Sequence, residues 1–341
     1  MNTPAAVVIT GLGMEVPGLD DIAGLLEPNP LDETRAFDPI SKLGRKGLLF
    51  KDQATKLGLC AVTAALTRAA LPLRDLHATA RTGVVVSSNL GNVDTVCRVI
   101  DTVYAGSAAD LSPMDVPNAS SNVIASSIAI RFGCRAVNLM LCNGATSGTD
   151  ALFLAANALR MRRAERMIVV GVEPQNEFVR QLVAASLPAG SDTPTSVRLA
   201  EGAACVILEM EPTARARRAT VYGVLDGYAY SRHETRPLSA RGNAPARPDF
   251  WLTPNQAWPS MKALGEQRRE LWDANVPHCD ISLGVGELYG ALGVFQCVAA
   301  CHWLGGQAVT GGNAGASSVL ATAGGSWGDG IASMTINRYT A

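Results

Sequence analysis

The stretch Phe132–Leu159, FGCRAVNLMLCNGATSGTDALFLAANAL, decides how the rest of the chain is read. Its apolar run Val137 to Leu141 fits a strand buried on both faces. A small, turn-forming segment follows: Cys142-Asn143-Gly144-Ala145-Thr146-Ser147-Gly148. Then Ala151, Leu152, Leu154, Ala155, Ala158 and Leu159 recur at helical spacing, and the many alanines predict a helix packed deep in the protein. Strand, sharp turn and buried helix make an elbow. Such an elbow sets one side chain at the positive end of a helix dipole, where a thiolate is stabilised.

Outward from the elbow, composition bounds the answer. A chain of 341 residues is long enough for one large or two medium domains. With 48% hydrophobic residues, 33 Gly and only 17% charged residues, it suits a well-buried α/β protein and excludes disordered or fibrous classes. The net charge of -1 and the lack of a basic tract make nucleic acid an unexpected partner. Eight scattered cysteines without C-x-x-C pairs argue against disulfides and zinc, even though Cys297 and Cys301 lie one helical turn apart. No metal and no cofactor are expected, and free thiols suit a reducing cytoplasm. The opening MNTPAAVVITGLG has no basic n-region, and the chain has no apolar run of about 18 residues, so neither a signal peptide nor a membrane span is expected.

Along the chain, Ala5 to Ile9 reads as a strand and Thr10-Gly11-Leu12-Gly13 as a turn; Val16 breaks any dinucleotide-binding fingerprint. Leu57 to Ala70 has helical periodicity, and Arg81 to Ser88 is another buried strand, followed by Asn89-Leu90-Gly91-Asn92. Ala184 to Ser196 and Ser231 to Pro248 read as loops. Trp258 to Ala274 fits an amphipathic helix, His278 to Gly286 a strand, and Tyr289 to Leu304 a second small-residue helix. Ser318 to Ala323, a glycine turn and Ile331 to Asn337 close the chain.

The elbow resembles the nucleophile region of β-ketoacyl synthases of the thiolase superfamily, whose A-C-[ST]-S-[GS] motif carries the acylated cysteine. Phe132-Gly133-Cys134-Arg135 upstream and Met167-Ile168-Val169-Val170-Gly171-Val172-Glu173 downstream resemble flanking family motifs and fix the register. Counted from either, the nucleophile position holds Ala145, a methyl group. Cys142 falls three residues early and reads as a small core residue. Ala5–Gly13 and Ala200–Met210 resemble further family strands, and Val285 to Gly293 resembles the motif N/T-x-G-H-x-x-G-A-A-G with Glu287 at the histidine. The first histidine motif falls near Leu252 to Gln256, where Thr253 stands and no histidine occurs. Ser282 is near the place of the family's lysine.

The resemblance implies a thiolase-like five-layer αβαβα fold built from two related βαβαβ halves, residues 1–212 and a shortened 213–341. Claisen condensation needs a thiolate, two proton donors and an oxyanion hole. A chain with Ala145, Glu287 and Thr253 at those positions is similar to a chain-length factor (KSβ) of type II polyketide synthases. As such it is expected not to be catalytic, to heterodimerise with a catalytic ketosynthase, to meet acyl carrier protein bearing a phosphopantetheine-bound chain, and to shape the tunnel that sets chain length. The shortened second half points to polyene or highly reduced chains. Tunnel residues are expected at Leu90, Val93, Cys97 and Ile100, with Trp327 in the place of a gating phenylalanine. The rival reading is an active acyltransferase or thiolase-like enzyme using Cys142, with His278 or His302 as base; a third is a scaffold homodimer. His77 and His233 read as surface residues.

Overall fold

The structure is a computed structural model that describes residues 5–28, 31–32, 34–72, 81–186, 198–232, 247–256, 276–306, 317–325 and 330–340. The strands are β1 (Val7–Glu15), β2 (Thr82–Ser87), β3 (Asn138–Leu141), β4 (Arg166–Glu173), β5 (Gly202–Met210), β6 (Gly223–Ser231), β7 (Phe250–Leu252), β8 (His278–Cys279), β9 (Ser318–Gly324) and β10 (Ile331–Asn337). The helices are α1 (Pro39–Leu43), α2 (Gln53–Arg68), α3 (Val93–Ala105), α4 (Val123–Phe132), α5 (Ser147–Arg160), α6 (Glu177–Ser186), α7 (Glu211–Ala216), α8 (Ile281–Val285) and α9 (Leu292–Leu304).

The strands order as β3-β2-β4-β5-β1-β6-β10-β9-β7-β8. That order is one five-strand pattern used twice. In the first set β2 runs parallel to β3 and β4, and β5 runs antiparallel to β4 and β1. In the second, β7 runs parallel to β8 and β9, and β10 runs antiparallel to β9 and β6. The two sets meet through three antiparallel pairs, Val7↔Leu225, Val8↔Val224 and Ile9↔Gly223. An internal repeat with no visible sequence signature is plain in the pairing, and it is the thiolase-like arrangement of related halves.

Helices α2 and α4 cover the outer face of the first set, where Leu57, Val62, Ile124 and Ile128 pack on Val84, Val86, Ile168 and Ile207. Helices α5 and α9 lie on the inner face, within one core that joins both sets. In α9 every residue except His302 is buried, which explains its lack of a polar stripe. Two small residues set how closely α5 and α9 approach: a methyl added to Gly148 would lie 2.9 Å from the Gly290 carbonyl oxygen and 3.0 Å from the Gly293 nitrogen.

Four sequence expectations are corrected. Strand β1 runs straight through the supposed turn at Thr10–Gly13, with a register shift at Gly11. Its glycines serve close packing, since a Cβ on Gly13 would collide with the Ala61 carbonyl of α2. His278 to Gly286 is a two-residue strand and then helix α8, because the Asp280 carboxylate caps the Ser282 N–H at 2.9 Å. Helix α6 continues to Ser186, into the stretch read as loop. Strand β3 is not buried on both faces: it ends the sheet, with Asn138 and Leu139 exposed. Trp258–Ala274, Trp327, His77 and His233 lie outside the described residues.

Candidate functional site

The elbow forms where β3 ends and α5 begins. Gly144 adopts φ +90°, a backbone conformation that favours glycine, and this turns the chain sharply enough to bring Ala145 in ahead of the helix. Ala145 is only 2% exposed. The turn is clamped from both sides. The Asn89 amide donates to the Gly144 carbonyl at 3.0 Å and accepts the Gly144 N–H at 2.9 Å. The Ser147 hydroxyl accepts the Asn143 N–H at 2.9 Å and donates to the Gly144 carbonyl at 2.7 Å.

A second clamp ties the elbow to the other half. Asp150, in the first turn of α5, accepts from Thr146 (2.8 Å), Asn143 (2.5 Å) and the Tyr228 phenol of β6 (2.6 Å). The Tyr228 ring stacks on Phe153 with centroids 4.1 Å apart. Burial first, and then Asp150, push the Tyr228 phenol well above its ordinary pKa, so it stays a donor.

Beneath Asn89 lies Glu173, the last residue of β4 and 2% exposed. Its carboxylate accepts the N–H groups of Asn89 (2.8 Å) and Leu90 (2.9 Å) and the Ser88 hydroxyl (3.1 Å). Burial pushes its pKa up to about 7 against those hydrogen bonds. One loop, Ser88–Asn92, thus carries the clamp on the elbow and leads directly into α3.

Glu287, ahead of the segment that reaches the elbow, is buried. Asn255 donates to one carboxylate oxygen at 2.5 Å and the Tyr289 N–H to the other at 2.7 Å. Its backbone bridges to Leu199, with Ala200 N–H on the Glu287 carbonyl at 2.9 Å. The segment that follows is wedged into the elbow: a Cβ on Gly290 would strike the Asn89 amide and lie 3.0 Å from the Glu173 carboxylate. Thr253 is wholly buried but donates to the Cys279 carbonyl at 3.3 Å, so the polar group that meets Glu287 is Asn255, two residues on. Ser282 donates to Asp280 at 2.5 Å, and Asp280 also takes the Gln256 N–H at 2.8 Å. Asn255, Gln256, Asp280 and Glu287 therefore form one polar layer, in which burial raises the Asp280 pKa against its hydrogen bonds.

Cys142 is not a core residue; it is exposed at the end of the edge strand, ahead of the turn. Partial burial pushes its thiol above the ordinary value, a hydrogen bond with Ser121 opposes that shift, and the Glu173 carboxylate adds to it. This is the reverse of what activates a thiolate. His278 is exposed on β8, with its ring 6.4 Å from that of Trp251. His302 is half-buried at the far end of α9. Neither stands in the polar layer around Glu287. Among the described residues no cluster of three or more His, Cys, Asp or Glu is arranged to hold a metal ion, and no helix is long and apolar enough to cross a membrane.

Of the expected tunnel residues, Leu90 is buried in a small cluster with Val179, Val183 and Leu199, flanked by Val93 and Tyr289. Cys97 is half-buried and Ile100 is 46% exposed. Within α3 only Thr95 is buried. Sequence reasoning missed Glu173 and Asn89 as clamps and Asn255 as the partner of Glu287. Asn89 sits in a strand-to-helix turn, a favoured place for asparagine, and that was the one available signal.

Residues 26–214, more than half of the chain, match the family described as β-ketoacyl synthase, N-terminal domain; the chain belongs to the β-ketoacyl synthase family. Over 222 residues it is 25% identical to 3-oxoacyl-[acyl-carrier-protein] synthase 2 of Coxiella burnetii, which covers 60% of this chain and about half, 53%, of that protein. Over 284 residues it is 27% identical to the tetracenomycin polyketide synthase ketoacyl synthase beta subunit of Streptomyces glaucescens, with 72% of this chain and 68% of that protein aligned. The ishigamide ketosynthase/chain length factor has the same fold, with a TM-score of 0.79 over 99% of this chain and all of that one, at 14% identity.

Proposed function

We propose that this chain is a ketosynthase-like subunit without condensing activity of its own, a chain-length factor that pairs with a catalytic ketosynthase in a type II polyketide synthase. The observation that carries the reading is Ala145: the elbow is built and clamped, and the residue it presents is a methyl group. A methyl cannot take an acyl group. At the position the family resemblance gives to a histidine, Glu287 holds a carboxylate where condensation would need a donor facing developing negative charge, and Asn255, the neutral donor at hand, is committed to that carboxylate.

Pairing is supported by the edge of the sheet. Among the described residues strand β3 is paired along one side only, and such an edge calls for a cover. Leu139 on that strand is 40% exposed, and Ile100, Val103, Met114 and Val116 add exposed apolar surface from α3 and the turns after it. A partner seated there would place Val93 and Cys97 beside its own tunnel, and their bulk would set where chain growth becomes costly. Acyl carrier protein would then deliver the phosphopantetheine-bound chain to the partner's nucleophile. In this reading the chain divides into halves at residues 212 and 213, and the short second half serves a polyene or highly reduced product.

Intact-mass analysis tests the reading. The purified chain is incubated with acyl- and malonyl-loaded carrier protein, alone and co-expressed with a ketosynthase. The expected result is no added mass on this chain and acylation of the partner. An acyl mass on this chain that Cys142→Ala abolishes would make it an enzyme instead.

A further inference from the structure

A cavity opens at the other end of α9, remote from the elbow. Helix α9 spans 13 residues, so at about 1.5 Å per residue the two places stand roughly 18 Å apart. The cavity has a volume of about 510 Å³, in the size range of small-molecule sites. Leu12 of β1, Ile22 and Cys301 of α9 form an apolar floor, all of them at least nine-tenths buried. Arg68 from the last turn of α2, Tyr222 ahead of β6 and His302 of α9 supply the polar wall.

Among the described residues, those three polar groups are not spent on the fold. Arg68 forms no ion pair with another described residue. Tyr222 is held through its backbone, whose N–H donates to the Ile9 carbonyl at 2.8 Å, and its phenol takes no partner among the described residues. The His302 Nε2 is buried with no hydrogen-bond partner among them either. A buried ring nitrogen left unpaired costs free energy that a ligand would recover.

We propose that this cavity is a binding site for a small monocarboxylate with an apolar body, the carboxylate meeting Arg68, Tyr222 and His302 and the body lying on Leu12, Ile22 and Cys301. A guanidinium and two neutral donors around an apolar floor match a charged head on a short hydrocarbon chain. Burial lowers the His302 pKa, with Arg68 acting the same way and the Asp21 carboxylate opposing. The ring is therefore neutral near pH 7, and in its Nε2–H tautomer it donates. Asp21 stands on the rim, its Oδ1 accepting the Gly24 N–H at 3.2 Å. That one negative charge offsets part of the Arg68 field and disfavours a dianion such as a phosphate monoester.

Calorimetric titration of the full chain with octanoate tests the site, together with octanamide, inorganic phosphate and a diazirine-bearing octanoate for photolabelling. Saturable binding of one octanoate is expected. Arg68→Gln, at an exposed position that leaves the fold intact, should weaken it by about tenfold, and octanamide should bind about tenfold more weakly to the unaltered chain. His302→Phe, which keeps a ring and removes the donor, should weaken octanoate several-fold. Photolabel should fall on the peptides holding Tyr222 or Cys301. Equal affinity in the Arg68→Gln chain, phosphate binding as tightly as octanoate, label on the Leu90–Ile100 segment, or no saturable binding would each overturn the proposal.

Discussion

Replacing Glu173 by Gln gives the most direct reading of how the elbow is held. The carboxylate is fully enclosed, its pKa lies near 7 in the folded chain, and the unperturbed value is 4.5. Because the folded value is the higher one, the protonated form favours folding. The stabilisation is complete below the unfolded pKa and is lost as pH rises through about 7. Between about pH 5 and about pH 8 this one group should therefore lower the unfolding free energy by roughly 2–3 kcal/mol. Glutamine does not titrate. Urea unfolding of both chains across that range, followed by tryptophan fluorescence, should show the unaltered chain losing that stability relative to the variant as pH rises. Asp52, Glu201 and Asp280, whose pKa values burial also raises, titrate equally in both chains and cancel. Glutamine also turns an amino group toward one of two backbone donors, Asn89 or Leu90, so both amides should exchange faster with solvent in the variant. A difference that stays flat with pH would refute the assignment of a neutral–charged transition to Glu173. Unchanged exchange at Asn89 and Leu90 would refute its role as the anchor of that loop.

Three further outcomes follow from the same geometry. Ala145→Cys should create a thiol that takes an acyl group from loaded carrier protein, seen by mass, while malonyl decarboxylation stays at background because Glu287 remains; condensation in that variant would show that the polar layer is no obstacle. Leu139→Lys changes an exposed side chain and should shift stability by no more than about 0.5 kcal/mol, yet abolish co-purification with a ketosynthase; an intact complex would move the interface elsewhere. Val93→Trp should shorten the product of a reconstituted synthase, and an unchanged product distribution would remove Val93 from the tunnel.

Much of the architecture was legible because long apolar segments carry their own signature. Helices α5 and α9 and strands β2 and β10 lie close to where the apolar pattern sets them, and β4 and β5 close to where the family resemblance sets them. The elbow was legible for the same reason, with a small-residue turn between two such segments. Burial was not. An apolar strand reads the same whether a neighbour in its own chain covers it or a second chain must, so β3 and Cys142 were placed in a core from which the monomer leaves them out. Glycines mislead in a similar way. Gly11 and Gly13 look like a turn, but they let α2 approach β1, a close contact that only the assembled fold reveals. At the polar layer the sequence gives residue types without register. With no histidine to align, Thr253 and Asn255 are equal candidates until the Asn255 amide is found on Glu287.

The clamp bears on why an elbow without a nucleophile keeps its form. Burying Glu173 costs stability, and it does nothing for a methyl group at Ala145. The same hydrogen bonds do something else. Glu173 fixes Asn89 and Leu90; Asn89 fixes the turn out of β3; Leu90 seats the start of α3 against Val179, Val183 and Leu199. Strand β3 and helix α3 both leave apolar side chains uncovered among the described residues. A rigid elbow therefore sets the relative position of the edge strand and the amphipathic helix whether or not chemistry occurs between them. That is what a subunit needs if its task is to present a shaped surface to a catalytic partner, and it links the Glu173→Gln and Leu139→Lys experiments: loosening the clamp should weaken the same association that charging the edge abolishes.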